Sequence, residues 1–399
     1  MTAFFSSAWG KRIGGLLLFA AAAGLALLLA VHIVGGADYH HQDNDFFTFW
    51  LAGHLTAQGR SPYNPSAWAA GYRQFAIEVQ PNPAFLYPLP LAVLLAPLGL
   101  LALRQAYIAW VAASLLLMLG SLLLLLAIQP HGRWRLLVPI LVGLVFFRPT
   151  VLTLIQGQIS ALFLFMLVLS VLLWKQGRWF WGGFLLGFFV LKPNLGGPLL
   201  LLLVLWLVYR RKFSALPGML GCALLMLGVG LLVNPGWVGA YLQVGSQKLA
   251  ATFGASPTVW GLGALACHAR ETCTLACGGI LGLLVLAACA WLVLGRGGES
   301  AWTAVGLAVT ATLLITPYTW TYDQLLLLLP VTGLSLALVR NGRTALLGNF
   351  LFLLLDLLAL VLLAPDTLLQ VEILNALVPL VILALHFLPG LRLQSLAPG

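Results

Sequence analysis

Apolar runs about as long as a bilayer is thick recur along this chain from Ile13 to Leu388, and such runs leave few folds open. A helix needs about 20 predominantly apolar residues to cross a hydrocarbon core. Inside that core every backbone N–H and C=O must be bonded within the protein, which a helix achieves by itself. Between charged or Pro/Gly-rich breaks the runs are 13–34, 105–128, 135–153, 157–174, 179–191, 193–209, 214–233, 278–295, 301–316, 323–339, 344–364 and 368–388. That makes about twelve candidate spans, of which 179–191 is the shortest. A single run near the N-terminus would read as a signal peptide, whereas repetition along the whole chain reads as a polytopic membrane protein. Only 8% of residues are charged, against about 25% in a soluble domain, so each charge needs a physical reason.

Lys and Arg concentrate in loops that stay in the cytoplasm. Starting from Lys11 and Arg12, every second break is basic: Arg133 and Arg135, Lys175 and Arg178, Arg210, Arg211 and Lys212, Arg296, Arg340 and Arg343, and Arg392. Most of the 20 basic residues therefore fall on one side, and the net charge of +10 reads as topology. No nucleic-acid partner is expected. The pattern predicts an all-α polytopic membrane protein with about 12 transmembrane helices and both termini cytoplasmic, one domain over 1–399. It also predicts a first extracytoplasmic loop at 35–104 and a second long one at 234–277. The segment 85–101, "FLYPLPLAVLLAPLGLL", must then start and finish outside, as a re-entrant or surface-lying helix interrupted by Pro88, Pro90 and Pro97.

This topology gathers polar residues on the outer face. Asp43 and Asp45 lie just beyond the first span, Arg148, Gln156 and Gln158 in "RPTVLTLIQGQ", Lys192 and Asn194 in "LKPN", and Tyr318, Tyr322 and Asp323 in "TPYTWTYDQ". Charges at a membrane are costly unless paired, solvated or used, so their gathering suggests a site. Most have a plainer reading, though Asp323, standing among aromatics, is harder to read as ordinary. The aspartates are good caps for the helix that follows, Lys192 could snorkel at a helix end, the glutamines and Asn194 could satisfy helix-end backbone, and tyrosines populate interfacial belts.

Five stretches, "DFFTFWLAGHLTAQGRSPYNP", "YPLPLAVLLAPLGLL", "QGQISALFLF", "GFLLGFFVLKPN" and "TPYTWTYDQLLLLLP", occur in an order that resembles glycosyltransferase family 87 of the GT-C superfamily, the polyprenyl-phosphate-mannose-dependent α-mannosyltransferases. The resemblance runs through most of the chain. It implies the GT-C fold and an active site on the extracytoplasmic face of the plasma membrane. The implied partners are a polyprenyl-phosphate sugar donor, the sugar being mannose by family resemblance alone, and a glycan, glycolipid or other hydroxyl acceptor, together with membrane lipids. In such chemistry the phosphate is already a good leaving group, and a positioned carboxylate removes the proton of the attacking hydroxyl, with inversion. By its place in the family pattern the base is Asp45, with Asp43 as the other candidate. Lys192 and Arg148 are the cations for the donor phosphate. Gln156, Gln158, Asn194, Tyr318, Tyr322 and Asp323 are left for sugar and acceptor. No metal and no cofactor is expected.

Cys222 and Cys289 fall in apolar runs, while Cys267, Cys273 and Cys277 lie in or beside the second outer loop. Their spacing matches no standard zinc pattern, and an oxidising face favours a disulfide between Cys267 and Cys273. Asp356, mid-run in "FLLLDLLAL", reads as an interhelical hydrogen-bonding group. The rival to an enzyme is a transporter or flippase of a lipid-linked or small polar substrate, which would place polar groups at the midplane in two matching halves. The sequence contains no such internal repeat.

Overall fold

Runs of Leu, Ala and Val with no charge to solvate leave the backbone to bond to itself. The computed structural model of the protein describes residues 8–35, 44–75, 84–128, 147–252, 254–295, 300–340 and 372–387, and these are all-helical, with no strand among them. In chain order the helices are α1 (Ala8–Gly35), α2 (Asp45–Ala57), α3 (Pro65–Gln74), α4 (Leu89–Gly99), α5 (Leu103–Ile128), α6 (Arg148–Ile155), α7 (Ser160–Lys175) and α8 (Trp179–Gly187). A 3-10 turn, Phe188–Leu191, leads to α9 (Pro193–Tyr209), α10 (Ala215–Val233), α11 (Trp237–Thr252), α12 (Val259–Ala266), α13 (Glu271–Gly295) and α14 (Ala301–Ile315). A second 3-10 helix, Thr321–Leu327, precedes α15 (Leu328–Arg340), and α16 spans Leu377–Leu385. Leu103–Ile128, Ala215–Val233 and Glu271–Leu294 are long and apolar enough to cross a membrane, and several shorter apolar helices accompany them.

Some boundaries differ from the sequence reading, for local reasons. The run expected at 278–295 starts at Glu271, whose carboxylate suits a helix N-terminus. Arg148, inside the run expected at 135–153, instead opens a helix, because Pro149 takes a first-turn position where its missing N–H costs nothing. The run at 323–339 begins in 3-10 geometry, and the loop at 234–277 is largely helical, as α11, α12 and the start of α13. α4 has 11 residues, about 16 Å at 1.5 Å per residue, roughly half a hydrocarbon core. The run at 344–364, most of 135–153, Asp43 and Asp356 lie outside the described residues.

α14 is the central helix. Every residue from Trp302 to Leu314 is buried, and α9, α13, α15 and α16 all pack on it. A helix apolar on all sides belongs in a core of this kind. At the margin, Leu220, Leu224 and Leu231 of α10 are exposed, as suits contact with lipid. α5 lies between α1 and α7, and α8 joins α7 to α10.

Two ends of the helical assembly are chemically distinct. At one, Lys175 donates to the Ile128 carbonyl (2.6 Å), and the Lys212 ammonium lies 4.9 Å from the Trp179 ring. At the opposite ends of α7 and α9 lie Ser160 and Asn194, joined there by α2. α2 and α4 meet backbone to backbone at two glycines. A Cβ on Gly53 would stand 2.5 Å from the Leu95 carbonyl oxygen, and one on Gly99 would meet the backbone of Gly53 and His54.

Alanine normally favours a helix over glycine by about 0.8–1 kcal/mol. We expect Gly221→Ala, where nothing lies within 4 Å of a new Cβ, to leave thermal unfolding in detergent unchanged or raised. Gly53→Ala should lower it, because main-chain atoms must move.

Candidate active site

The site begins with a division of labour between neighbours. Asn44, in an extended conformation, caps α2 by accepting from the Phe47 N–H (3.1 Å), so Asp45 is the first helical residue and not the cap. Its carboxylate is half-buried, and the Gln158 amide donates to Oδ2 at 2.5 Å. Gln158 is wholly buried.

The segment 154–160 is built to present Gln158. Tyr107 donates to the Ile155 carbonyl (2.6 Å) and the Trp110 indole to the Gly157 carbonyl (2.7 Å), both from α5. Phe46 N–H donates to the Gln156 carbonyl (3.0 Å), tying α2 to the same turn. Gly157 has φ +63°, and a Cβ there would collide with Phe46, so glycine is required twice over.

Two residues beyond Gln158, Ser160 donates to Asp323 Oδ1 (3.0 Å). Asp323 also accepts from Lys192 on Oδ1 (2.5 Å) and from Thr319 on Oδ2 (2.9 Å), and the Trp320 N–H lies 3.5 Å from Oδ2. Lys192 and Asp323 are 2% and 0% exposed. Lys192 is therefore an interior ion-pair partner and does not snorkel to a surface. Its ammonium also stands 4.9 Å from the Tyr322 ring centroid, a cation–π contact. Asn194 donates to the Tyr318 carbonyl (2.7 Å), and its own carbonyl accepts from Thr316 (2.6 Å), so both ends of "TPYTWTYD" are fastened to the start of α9.

Tyrosines close round Asp45. Tyr72, Tyr87, Tyr318 and Tyr322 all have raised pKa values, through burial first and then the negative charge of Asp45, except that at Tyr318 the Trp320 contact, which opposes the rise, outweighs Asp45. Their hydroxyls therefore stay protonated and can donate. Tyr87 packs on Phe49 (5.0 Å between centroids), one helical turn beyond Asp45 on the same face, and its hydroxyl lies beside the Gln158 amide.

Arg148 pairs with Glu372 (Nη2 to Oε2, 3.4 Å), while its Nε and Nη1 are buried without a hydrogen-bond partner. Glu372 Oε1 accepts from the Thr321 N–H at 2.7 Å.

The structure thus brings together Asp45, Gln158, Lys192, Asn194, Tyr318, Tyr322 and Asp323, with Arg148 joined to the same 3-10 helix through Glu372. Gln156 contributes its carbonyl. Ser160, Tyr87 and Glu372 escaped the sequence reading. Ser160 and Tyr87 lie inside stretches already singled out, and Glu372 is one of only 10 acidic residues, at the outer end of the last predicted span. Away from the site, Cys267 is bonded to Cys273, with the Cys277 sulfur 3.5 Å from that of Cys267.

Described residues that are all helical, helices long and apolar enough to cross a membrane, and a carboxylate site at one end of them suit a membrane-embedded protein that handles a polar substrate. A profile of glycosyltransferase family 87 matches residues 85–317, more than half of the chain. The protein belongs to that family and is a membrane glycosyltransferase, which moves a sugar from a donor to an acceptor. No curated protein and no solved structure matches the chain. The matched span holds Arg148, Gln158, Lys192 and Asn194; Asp45, Tyr318, Tyr322, Asp323 and Glu372 lie outside it.

Removing one member of a buried ion pair costs about 3–5 kcal/mol, because the other charge is stranded. Lys192→Met should therefore lower the unfolding temperature in detergent sharply. Adding Asp323→Asn should recover part of the loss, an outcome a surface pair would not give.

Proposed function

We propose that this protein transfers a sugar, mannose by family resemblance, from a polyprenyl-phosphate donor to an acceptor hydroxyl, with inversion and with Asp45 as general base. The reaction takes place on the extracytoplasmic face of the plasma membrane, in a GT-C fold of about 12 spans with both termini cytoplasmic. No metal or cofactor takes part in this reading.

The observation that carries it is the contrast between the two carboxylates. Asp323 is fully buried and faces four donors, so its lone pairs are occupied. Asp45, by contrast, is half-buried at the start of its helix, where a substrate hydroxyl can still reach it. The Gln158 amide holds one of its oxygens in place, as a positioned base requires. The tyrosines supply aromatic faces and hydroxyl donors for sugar rings. Of the two cations expected at the donor phosphate, Lys192 already spends a hydrogen bond on Asp323, whereas Arg148 keeps Nε and Nη1 unoccupied. The phosphate is therefore assigned chiefly to Arg148.

Asp45→Asn retains the shape, and Asn44 still caps the helix, but an amide cannot take a proton. Transfer of label from polyprenyl-phosphate sugar should fall on the order of 10²-fold or more at normal expression and donor binding. Full activity in that variant would remove Asp45 as the base.

The orientation has its own test, in a background lacking the native cysteines. Single cysteines at the exposed positions Arg60 and Arg270 should react with an impermeant thiol reagent in intact cells, and cysteines at the exposed Gln176 and Arg211 should not. The reverse pattern would invert the topology.

A further inference from the structure

We infer that Glu372 is a positioning residue for the transfer reaction, acting through the backbone of the 3-10 helix Thr321–Leu327. That helix carries Tyr322 and Asp323, so its placement sets the wall of the site opposite Asp45. Its C-terminal end runs directly into α15, but its first N–H groups have no intrahelical acceptor and need one from elsewhere. Glu372 supplies it, with Oε1 accepting from Thr321 N–H at 2.7 Å. Its other oxygen is held by Arg148 at 3.4 Å, so the carboxylate is gripped at both ends and cannot swing away from Thr321. A second tie lies one helical turn on, where the Gln324 amide donates to the Asn375 carbonyl (2.9 Å). On its other flank the helix is fixed by Thr153, which donates to the Tyr322 carbonyl (3.2 Å), and by the donors to Asp323. Residues 372–375 thus form one of two jaws on the segment that holds Tyr322 and Asp323.

Glu372 touches neither Asp45 nor Lys192 in any hydrogen bond, so its influence passes through geometry. Displacements of about 1 Å at a reacting centre can cost up to 10²-fold in rate. What the position requires is an acceptor at the reach of a glutamate side chain; the charge itself serves only Arg148.

The proposal rests on the reading that the 3-10 helix borders the transfer site. Steady-state kinetics of the full-length protein in detergent, with labelled polyprenyl-phosphate sugar, compare Glu372→Gln, Glu372→Asp and Glu372→Ala. Gln keeps an oxygen within reach of Thr321 N–H and should hold kcat within about threefold of the native value. Asp keeps the charge beside Arg148 but is one methylene too short, and should lose about tenfold in kcat with the KM for donor unchanged; Ala should lose as much in kcat. Retained activity in Asp together with loss in Gln would mean that charge matters and would overturn the proposal. So would a raised donor KM at unchanged kcat, which would place Glu372 behind Arg148 at the phosphate, and so would three variants equal to the native enzyme. If Ala does not insert, the Gln–Asp contrast decides. Asp45→Asn run alongside separates the two readings: full activity there removes the base and leaves the Glu372 pattern standing.

Discussion

An ammonium and a carboxylate drawn out of water must compensate one another closely, and in this protein that requirement falls on Lys192 and Asp323. Neither has appreciable contact with solvent. Desolvating each ion costs several kcal/mol, recovered only when geometry is good and the remaining lone pairs are filled. The surroundings meet that demand with Ser160 and Thr319, and with the Tyr322 ring beneath the ammonium. Meeting it brings the turn before α9, the turn before α7 and the 3-10 helix to one point. The distance of Gln158 from Asp45 then follows, because Gln158 and Ser160 share a turn. A membrane enzyme can concentrate such a network where its helices end, since the apolar surroundings elsewhere offer no competing partners.

The two aspartates of the site are consequently unlike in environment. One is saturated with donors and carries structure; the other stands at a helix start with the Gln158 amide on Oδ2 and tyrosines about it. Tyrosines with raised pKa values suit a place where a proton is to be removed, because they do not themselves give one up to a carboxylate. In the proposed mechanism Asp45 takes the proton, and the neighbouring Asn44 frees it from the duty of capping.

Much of this was legible beforehand, for a physical reason. In a chain with 8% charged residues, position relative to the apolar runs carries nearly all the information about where a charge sits. Lys192, Asp323 and Asp45 therefore stand out by scarcity, and Gln158 by its place in a polar break. What scarcity cannot convey is pairing. Lys192 and Asp323 were read as serving donor and acceptor separately, whereas they are 131 residues apart in sequence and bonded to each other. Glu372 was passed over because it sits within a predicted span, and nothing in its neighbours shows that its carboxylate meets a backbone N–H of a distant 3-10 helix. The cap at Asn44 was hidden by the two better-known acids on either side. The 3-10 geometry at Thr321 and the early start of α13 depend on tertiary contacts that hydropathy does not register.

The crossing of α2 and α4 has a meaning for how such a chain can change over generations. A charged pair can be exchanged for another pair, because both partners are side chains and a second substitution can compensate the first. At Gly53 and Gly99 the obstructing atoms belong to the main chain of the facing helix. No substitution removes a carbonyl oxygen or a peptide nitrogen, so a larger residue at either place has no compensating partner. The helix that bears Asp45 is thus anchored by the two positions with the fewest atoms, and lineages free to rewrite the charges around the site have no such freedom there.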